Sequence, residues 1–385
     1  MLKYDHNEDT LWIKKHDPKP LSRRRTALSR GVFGNMYLGA PCGSVLHPID
    51  NEELKSHVEL AEGYASIGEV EIAENKFHQA LLMYDGEIHA KLLLSRCLCG
   101  LGAICTEQGR FKEAMELLTR GYNCIPQSSI EEDLIHVSLM RGRTLGHMAQ
   151  LYHGEGDQHG AIEYFARAIE LMEQVVESKE LSAQSREDYS AEVLRLHYEL
   201  GKIYVQQSKW ENALSTYTAA YKLCPEYSLH AAHILLESGR CYEQLKLAEK
   251  ACRCIYEATC IFESLLDPSL NSQVATCYEH LATLSVDQGD VRLDLACLYC
   301  EKAVAAARLA ITRDIASSSA TSVLSKCLVR YADILFRRGH IVFACALASE
   351  ACITQREAQP AHNAVHAHLF QNTARMWADG RWFLK

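Results

Sequence analysis

Small side chains recur along this chain with a fixed rhythm, and the apolar positions around them fall at helical spacing. A Gly or Ala is followed about twelve residues later by an Ala, and seven residues after that by another Ala or Gly. The triplets are Ala61/Ala73/Ala80, Gly102/Ala114/Gly121, Ala149/Ala161/Ala168, Gly201/Ala213/Ala220, Gly239/Ala251/Ala258, Ala282/Ala296/Ala303 and Ala332/Ala344/Ala351. The first gap is twelve residues in six copies and fourteen in the sixth, and the second is seven in all. Interaxial distance is set by the side chains at a helix contact, so such positions mark places where two helix backbones approach closely. The pattern predicts two helices per unit and seven units in a stack.

With the first triplet member taken as position 8 of its unit, the remaining positions fill in. Position 4 is large throughout: His57, Leu98, Leu145, His197, Leu235, Tyr278 and Leu328. Position 11 is often aromatic (Tyr64, Tyr152, Tyr204, Tyr242), and position 24 is bulky in most copies (Phe77, Leu118, Phe165, Tyr217, Ile255). Position 15, the turn between the two helices, is Gly68, Gly109, Gly156, Gly289 or Gly339 in five copies and Lys246 in the fifth. Glycine ends a helix well because it enters the left-handed region without a Cβ clash. Pro126 and Pro225 fall where the second helix must stop. Units start near Leu54, Ser95, Gly142, Leu194, Ala232, Ala275 and Ser325, so they are 38 to 52 residues long. The excess, as in Glu173–Val193, implies extended helices or loops.

These residues resemble the tetratricopeptide repeat, a 34-residue helix–turn–helix unit with the same alternation of small and bulky positions. Leu98, Leu101, Gly102, Gly109, Phe111, Ala114 and Pro126 carry the likeness best, and it extends over roughly residues 54–354. The stretched spacing is similar to that of kinesin light chains and Leu-Gly-Asn-repeat scaffolds, both peptide-grasping adaptors. The resemblance implies an all-α, right-handed α-solenoid (superhelix) of about seven repeats over residues 51–354. Its implied function is non-enzymatic protein binding by an adaptor or scaffold.

The two ends read differently. Residues 1–50 hold four of the eight prolines, Gly31, Gly34, Gly39 and Gly43, and no sustained period, which predicts an extended, partly disordered arm. Residues 355–385 predict a capping helix opened by Pro360, with Val365, Leu369, Phe370, Met376 and Trp377 on its apolar side and an aromatic tail behind it.

The net charge is −9, but residues 1–50 carry +3 and the remainder −12. A mildly acidic body argues against a general nucleic-acid binder. No apolar run is long enough for a membrane span. The polar start, Met1 to His16, lacks the apolar region of a secretory signal, so a cytoplasmic place is expected. Sixteen cysteines then read as small hydrophobes inside helices, with Cys297/Cys300 as the alternative half of a zinc site.

Chemistry-bearing patterns are sparse. No P-loop, GxSxG, HExxH or dinucleotide fingerprint occurs, so neither a catalytic residue nor a cofactor is expected. His362, His366 and His368 offer imidazoles for a metal without a carboxylate or thiol nearby to complete the set, and a solvated helix face is the competing reading. Position 2, on the first helix of each unit, reads Lys55, Arg96, Arg143, Arg195, His233, Thr276 and Lys326, and Lys202, Arg240 and Arg330 add cations nearby. This basic row suits an extended acidic or carboxylate-bearing peptide, because the guanidinium fork bonds carboxylate bidentately. Ordinary surface charges paired with Glu59, Glu62, Glu199, Glu237 and Asp333 are the other reading. Cochaperones of the resembled family hold a terminal carboxylate through a five-residue clamp. Its positions here are Val58, Glu62, Gly100, Arg143 and His147, which keep one cation.

In the arm, Arg23, Arg24, Arg25 and Arg30 stand among Ser22, Thr26 and Ser29, beside Phe33 and Tyr37. The segment reads as an anchor on an acidic surface such as tubulin or nucleic acid, weakened by phosphorylation at Thr26 or Ser29, or as a hydrated tail. The implied partners are proteins, and a structural place in a cytoskeletal assembly such as a ciliary axoneme is one expectation from the architecture.

Overall fold

A computed structural model describes residues 52–84, 91–125, 131–178, 181–265, 267–287, 292–313 and 318–358. Its regular structure among these residues is α-helical apart from one 3-10 turn, Pro268–Leu270, and contains no strand. The helices come as seven consecutive pairs: α1 (Glu52–Ser66) with α2 (Val70–Met83), α3 (Lys91–Glu107) with α4 (Phe111–Cys124), α5 (Glu131–Glu155) with α6 (Gln158–Glu177), α7 (Ala183–Gln206) with α8 (Trp210–Leu223), α9 (Leu229–Gln244) with α10 (Ala248–Ser264), α11 (Asn271–Asp287) with α12 (Leu293–Arg313), and α13 (Ser318–Arg337) with α14 (Ile341–Ala358). Each helix packs most extensively on the other member of its pair, and successive pairs then pack on one another. The architecture is an all-α solenoid.

The recurrent small residues explain the pairing. All seventeen alanines of the triplets are at 0% exposure, and Gly102, Gly121, Gly201 and Gly239 are buried with them. In the second, fourth and fifth units the bulky residue at position 24 of the second helix seats on the glycine at position 8 of the first. A Cβ placed on Gly102 would lie 2.6 Å from Leu118 Cγ, one on Gly201 2.3 Å from Tyr217 Cε1, and one on Gly239 2.4 Å from Ile255 Cγ1. Side chains that close cannot coexist, so the backbones meet at the distance that the absent Cβ permits. The same knobs reach across units, since Phe77 of α2 lies against Gly100 of α3. The largest core cluster runs from Ala231 to Ala351 and joins the last three units without a break.

The turn inside each pair repeats one conformation. Gly68, Gly109, Gly156 and Gly339 take φ of 85°, 75°, 88° and 81°. The amide after each donates to the carbonyl five residues back, as Arg110 N to Cys105 O (2.8 Å) and His340 N to Leu335 O (2.9 Å). This is the αL termination that satisfies the last helical carbonyls. Ser208 (φ 57°) and Lys246 (φ 61°) hold the same position and the same bonding without being glycine. The non-glycine turn at Lys246 therefore leaves the architecture of the fifth unit intact. Gly289 lies outside the described residues.

The extra length of the central units is mostly helix. α5, α6 and α7 run 25, 20 and 24 residues. Ser182 caps α7 by accepting from Ser185 N at 3.1 Å, and Asp157 caps α6 through His159 N and Gly160 N. Pro225 follows the end of α8 at Leu223, as proline's missing N–H requires. The arm, including Arg23, Arg24, Arg25, Arg30, Phe33 and Tyr37, lies outside the described residues, as do Pro126, the region of the expected capping helix beyond Ala358, and His362, His366 and His368.

Candidate partner-binding surface

First helices of successive units pack on one another, as α1 on α3, α3 on α5 and α11 on α13. No comparably close pairing joins second helices at the same level. Elements on the inside of a curved stack lie closer than those outside, so the first helices line the inner face.

Ion pairs cross this inner face from unit to unit. Arg96 of α3, at 6% exposure, donates through Nε and Nη2 to the two carboxylate oxygens of Glu62 in α1, at 2.9 and 2.6 Å. Arg143 of α5 makes the same forked contact with Glu192 of α7, with Nε at 2.8 Å from Oε2 and Nη2 on Oε1. Glu243 of α9 meets His280 of α11 at 2.9 Å, and Glu279 of α11 accepts from Arg330 of α13 at 3.3 Å. Bidentate pairs of this kind fix geometry as well as adding energy.

A denser cluster joins the third and fourth units. Arg143 lies 5.8 Å from the Tyr189 ring centroid. Burial raises the Glu192 carboxyl, but the charge and hydrogen bonding of Arg143, with help from Arg195, bring it below the usual carboxylate range. The buried His147 beside them is pushed down to about 3, by desolvation first and by Arg195 second, so its ring is neutral.

Much of the basic row seen in the sequence is therefore ion-paired in the fold. Lys55 reaches Glu59 at 3.8 Å along its own helix, Lys202 reaches Glu199 at 2.8 Å, and Arg240 reaches Glu237 at 3.0 Å. Arg195 is half-buried within the Glu192 cluster, and Lys326 is exposed on α13. Arg96 and Arg143 are structural partners of Glu62 and Glu192, a role visible only once units at distances of 34 and 49 residues are stacked. Lys202 and Arg240 differ from them, because 41% and 50% of their side chains stay open despite the local pairs. Lys202 also lies 5.7 Å from the Tyr198 ring centroid. The positions of the carboxylate clamp are occupied otherwise: Glu62 accepts from Arg96, Arg143 is held by Glu192, and His147 is buried.

The outer face holds two clefts with no counterpart in the sequence reading. One, about 280 Å³, has α8 and α10 as walls and α9 as floor, with Tyr217, Tyr221 and Tyr242 among its lining. The other, about 480 Å³, lies one unit further on, where Tyr278 donates to Glu263 at 2.7 Å and accepts from Lys302 at 3.4 Å. Among the described residues no group of three or more His, Cys, Asp or Glu is placed to hold a metal ion, no disulfide is present, and no helix is long and apolar enough to cross a membrane.

This constellation of stacked helix hairpins, glycine-type turns and small-to-bulky seating defines a helical-repeat scaffold. Models of the tetratricopeptide repeat match residues 142–174 and 196–229, in register with the third and fourth units. Over those two units the chain carries tetratricopeptide-repeat sequence, and the other helix pairs share the same helical-repeat fold.

A search of curated proteins returns no significant match. Among solved structures, a signal-transduction ATPase with numerous domains and a tetratricopeptide repeat sensor from Pyrococcus horikoshii aligns over 84% of this chain, with 14% identity and a TM-score of 0.63. The aligned part is 45% of that protein, so this chain spans less than half its length, and the likeness concerns the fold. Aspartyl phosphate phosphatase F of Bacillus subtilis aligns over 87% of this chain and 96% of its own (12% identity, TM-score 0.48). A kinesin light chain-like repeat protein of Podosopora anserina aligns over 57% and 99% (17% identity, TM-score 0.41).

Proposed function

We propose that this protein-interaction scaffold is non-enzymatic and captures an extended acidic segment of a partner along the inner face of its later units. Lys202, Arg240, Arg330 and Lys326 supply the cations, while Arg96 and Arg143 hold the units together. The observation that carries this reading is the openness of Lys202 and Arg240, on the inner helices of adjacent units, in spite of their local pairs. Exposed i,i+3 pairs are worth only about 0.2–1 kcal/mol, so an incoming carboxylate replaces Glu199 or Glu237 at little expense. The basic segment Arg23–Arg30 adds a second contact to the same assembly, of which a cytoskeletal complex in the cytoplasm is the kind proposed.

The test is a phage-displayed library of twelve-residue peptides selected on the full chain. Acidic sequences should be enriched, and Lys202→Glu with Arg240→Glu should weaken the best peptide at least tenfold while the far-ultraviolet circular dichroism stays unchanged. Enrichment of neutral or basic peptides, or equal affinity for the reversed variant, would overturn the reading.

A further inference from the structure

The cleft between α8 and α10 differs from every other concavity described here in its combination of walls and rim. Leu214, Tyr217, Tyr221 and Tyr242 give it an apolar, largely aromatic interior, and Lys250 and Arg253, both exposed on α10, are the only charged residues in its lining. Lys250 stands 5.8 Å from the Tyr242 ring centroid, so its ammonium is held at the mouth. At about 280 Å³ the cleft is just below the roughly 300–1,000 Å³ of small-molecule sites, which suits one large side chain better than a cofactor. The neighbouring outer cleft makes a useful contrast, since Glu263 and Asp267 face Lys302 there and its tyrosine hydroxyl is already hydrogen-bonded.

We infer that this cleft is a second docking site, on the outer face, for an acidic protein segment that inserts one aromatic side chain between α8 and α10. The aromatic ring stacks on Tyr221 and Tyr242, and carboxylates on either side of it meet Lys250 and Arg253. Arrangements of this type, an aromatic anchor in a desolvated pocket with charges at the rim, concentrate binding energy in few residues. The nearby acid, Glu257, one helical turn beyond Arg253, is half-buried, and burial pushes its carboxyl up to about 7. At neutral pH it is therefore about half ionised and offsets part of the positive field of Lys250 and Arg253. The site is separate from the inner face, because its walls are second helices.

A ten-residue fluorescein-labelled peptide with a single Trp in an Asp/Glu-rich run is the probe, titrated into the full chain and read by polarisation. Trp→Ala in the peptide should weaken binding at least tenfold, as should Lys250→Glu with Arg253→Glu in the protein. Thr218→Trp, an exposed wall position whose enlargement obstructs the cleft, should do the same without altering helicity. Lys202→Glu with Arg240→Glu on the inner face should leave this affinity unchanged. No binding of the probe, binding indifferent to the Trp, or loss confined to the inner-face variant would overturn the inference, and the last result would assign the peptide to the inner face.

Discussion

Replacing Gly201 and Gly63 by alanine separates packing from helix propensity, because the same methyl is added in both cases. Each glycine is inside a helix, α7 and α1, so each replacement gains about 1 kcal/mol of intrinsic helix stability. At Gly63 nothing lies within 4 Å of the new Cβ, and the gain stands alone. At Gly201 the methyl would sit 2.3 Å from Tyr217 Cε1 and 2.7 Å from Cδ1. Tyr217 is buried between α7 and α9, so relieving the contact means pushing a packed aromatic ring out of its place. Overpacking of this kind costs about 1–3 kcal/mol, which cancels or exceeds the propensity gain. The propensity terms cancel in the comparison, and Gly201→Ala should come out about 1–3 kcal/mol less stable than Gly63→Ala. Repeat arrays unfold with incomplete cooperativity, so urea melts should be paired with amide exchange in α1, α7 and α8. Faster exchange in α7 and α8 for Gly201→Ala, relieved by adding Tyr217→Leu, is the expected pattern. Equal stabilisation by both replacements would refute the claim that small residues set the helix separation.

Two further perturbations follow from backbone strain and buried thiols. Ser208→Gly and Lys246→Gly should each stabilise the protein by about 1 kcal/mol, because they remove the Cβ clash of a left-handed residue at φ 57° and 61°; unchanged urea midpoints would count against strain at those turns. Burial pushes the thiols of Cys97, Cys241, Cys254, Cys277 and Cys327 up to about 12 and that of Cys99 to about 11, above the roughly 8.5 of an unfolded cysteine. The folded state therefore holds protons that the unfolded chain releases, so the stabilisation is complete below about pH 8.5 and is lost as pH rises toward 11–12. Each such group withdraws about 1.4 kcal/mol by about pH 9.5 from the unit that holds it, so the second and fifth units, with two such thiols each, lose the most. Helicity at 222 nm should fall progressively above about pH 9, and a helix signal unchanged to pH 11 would show that the thiols are not sealed.

The repeat could be read before any coordinates because its cause is local and periodic. Ala161 and Phe165 lie four residues apart on one helix face in the sequence, and both are fully or almost fully buried in the fold. Gly68, Gly109, Gly156 and Gly339 announced their turns through a backbone requirement that few residues meet cheaply. Ser208 and Lys246 adopt the same turn silently, since the six-residue hydrogen bond and the flanking helices impose it without any residue signal. The inner-face cations were legible as charges but not in their roles. Arg96 and Lys202 look alike in sequence, yet Arg96 is sealed against Glu62 of the preceding unit, and Lys202 remains open. The tyrosine cleft left no trace, because Tyr217, Tyr221 and Tyr242 each satisfy a helix pattern of their own and converge only when α8 and α10 flank α9.

The amino-acid order alone thus determined the helix pairs, their number and the contact positions, since each depends on spacing within about forty residues and on the size of single side chains. Which charges were consumed internally, and where an open concavity remained, was decided by the tertiary stack. Those outcomes depend on the offset between neighbouring units, a sum of small displacements at many contacts that no single residue encodes.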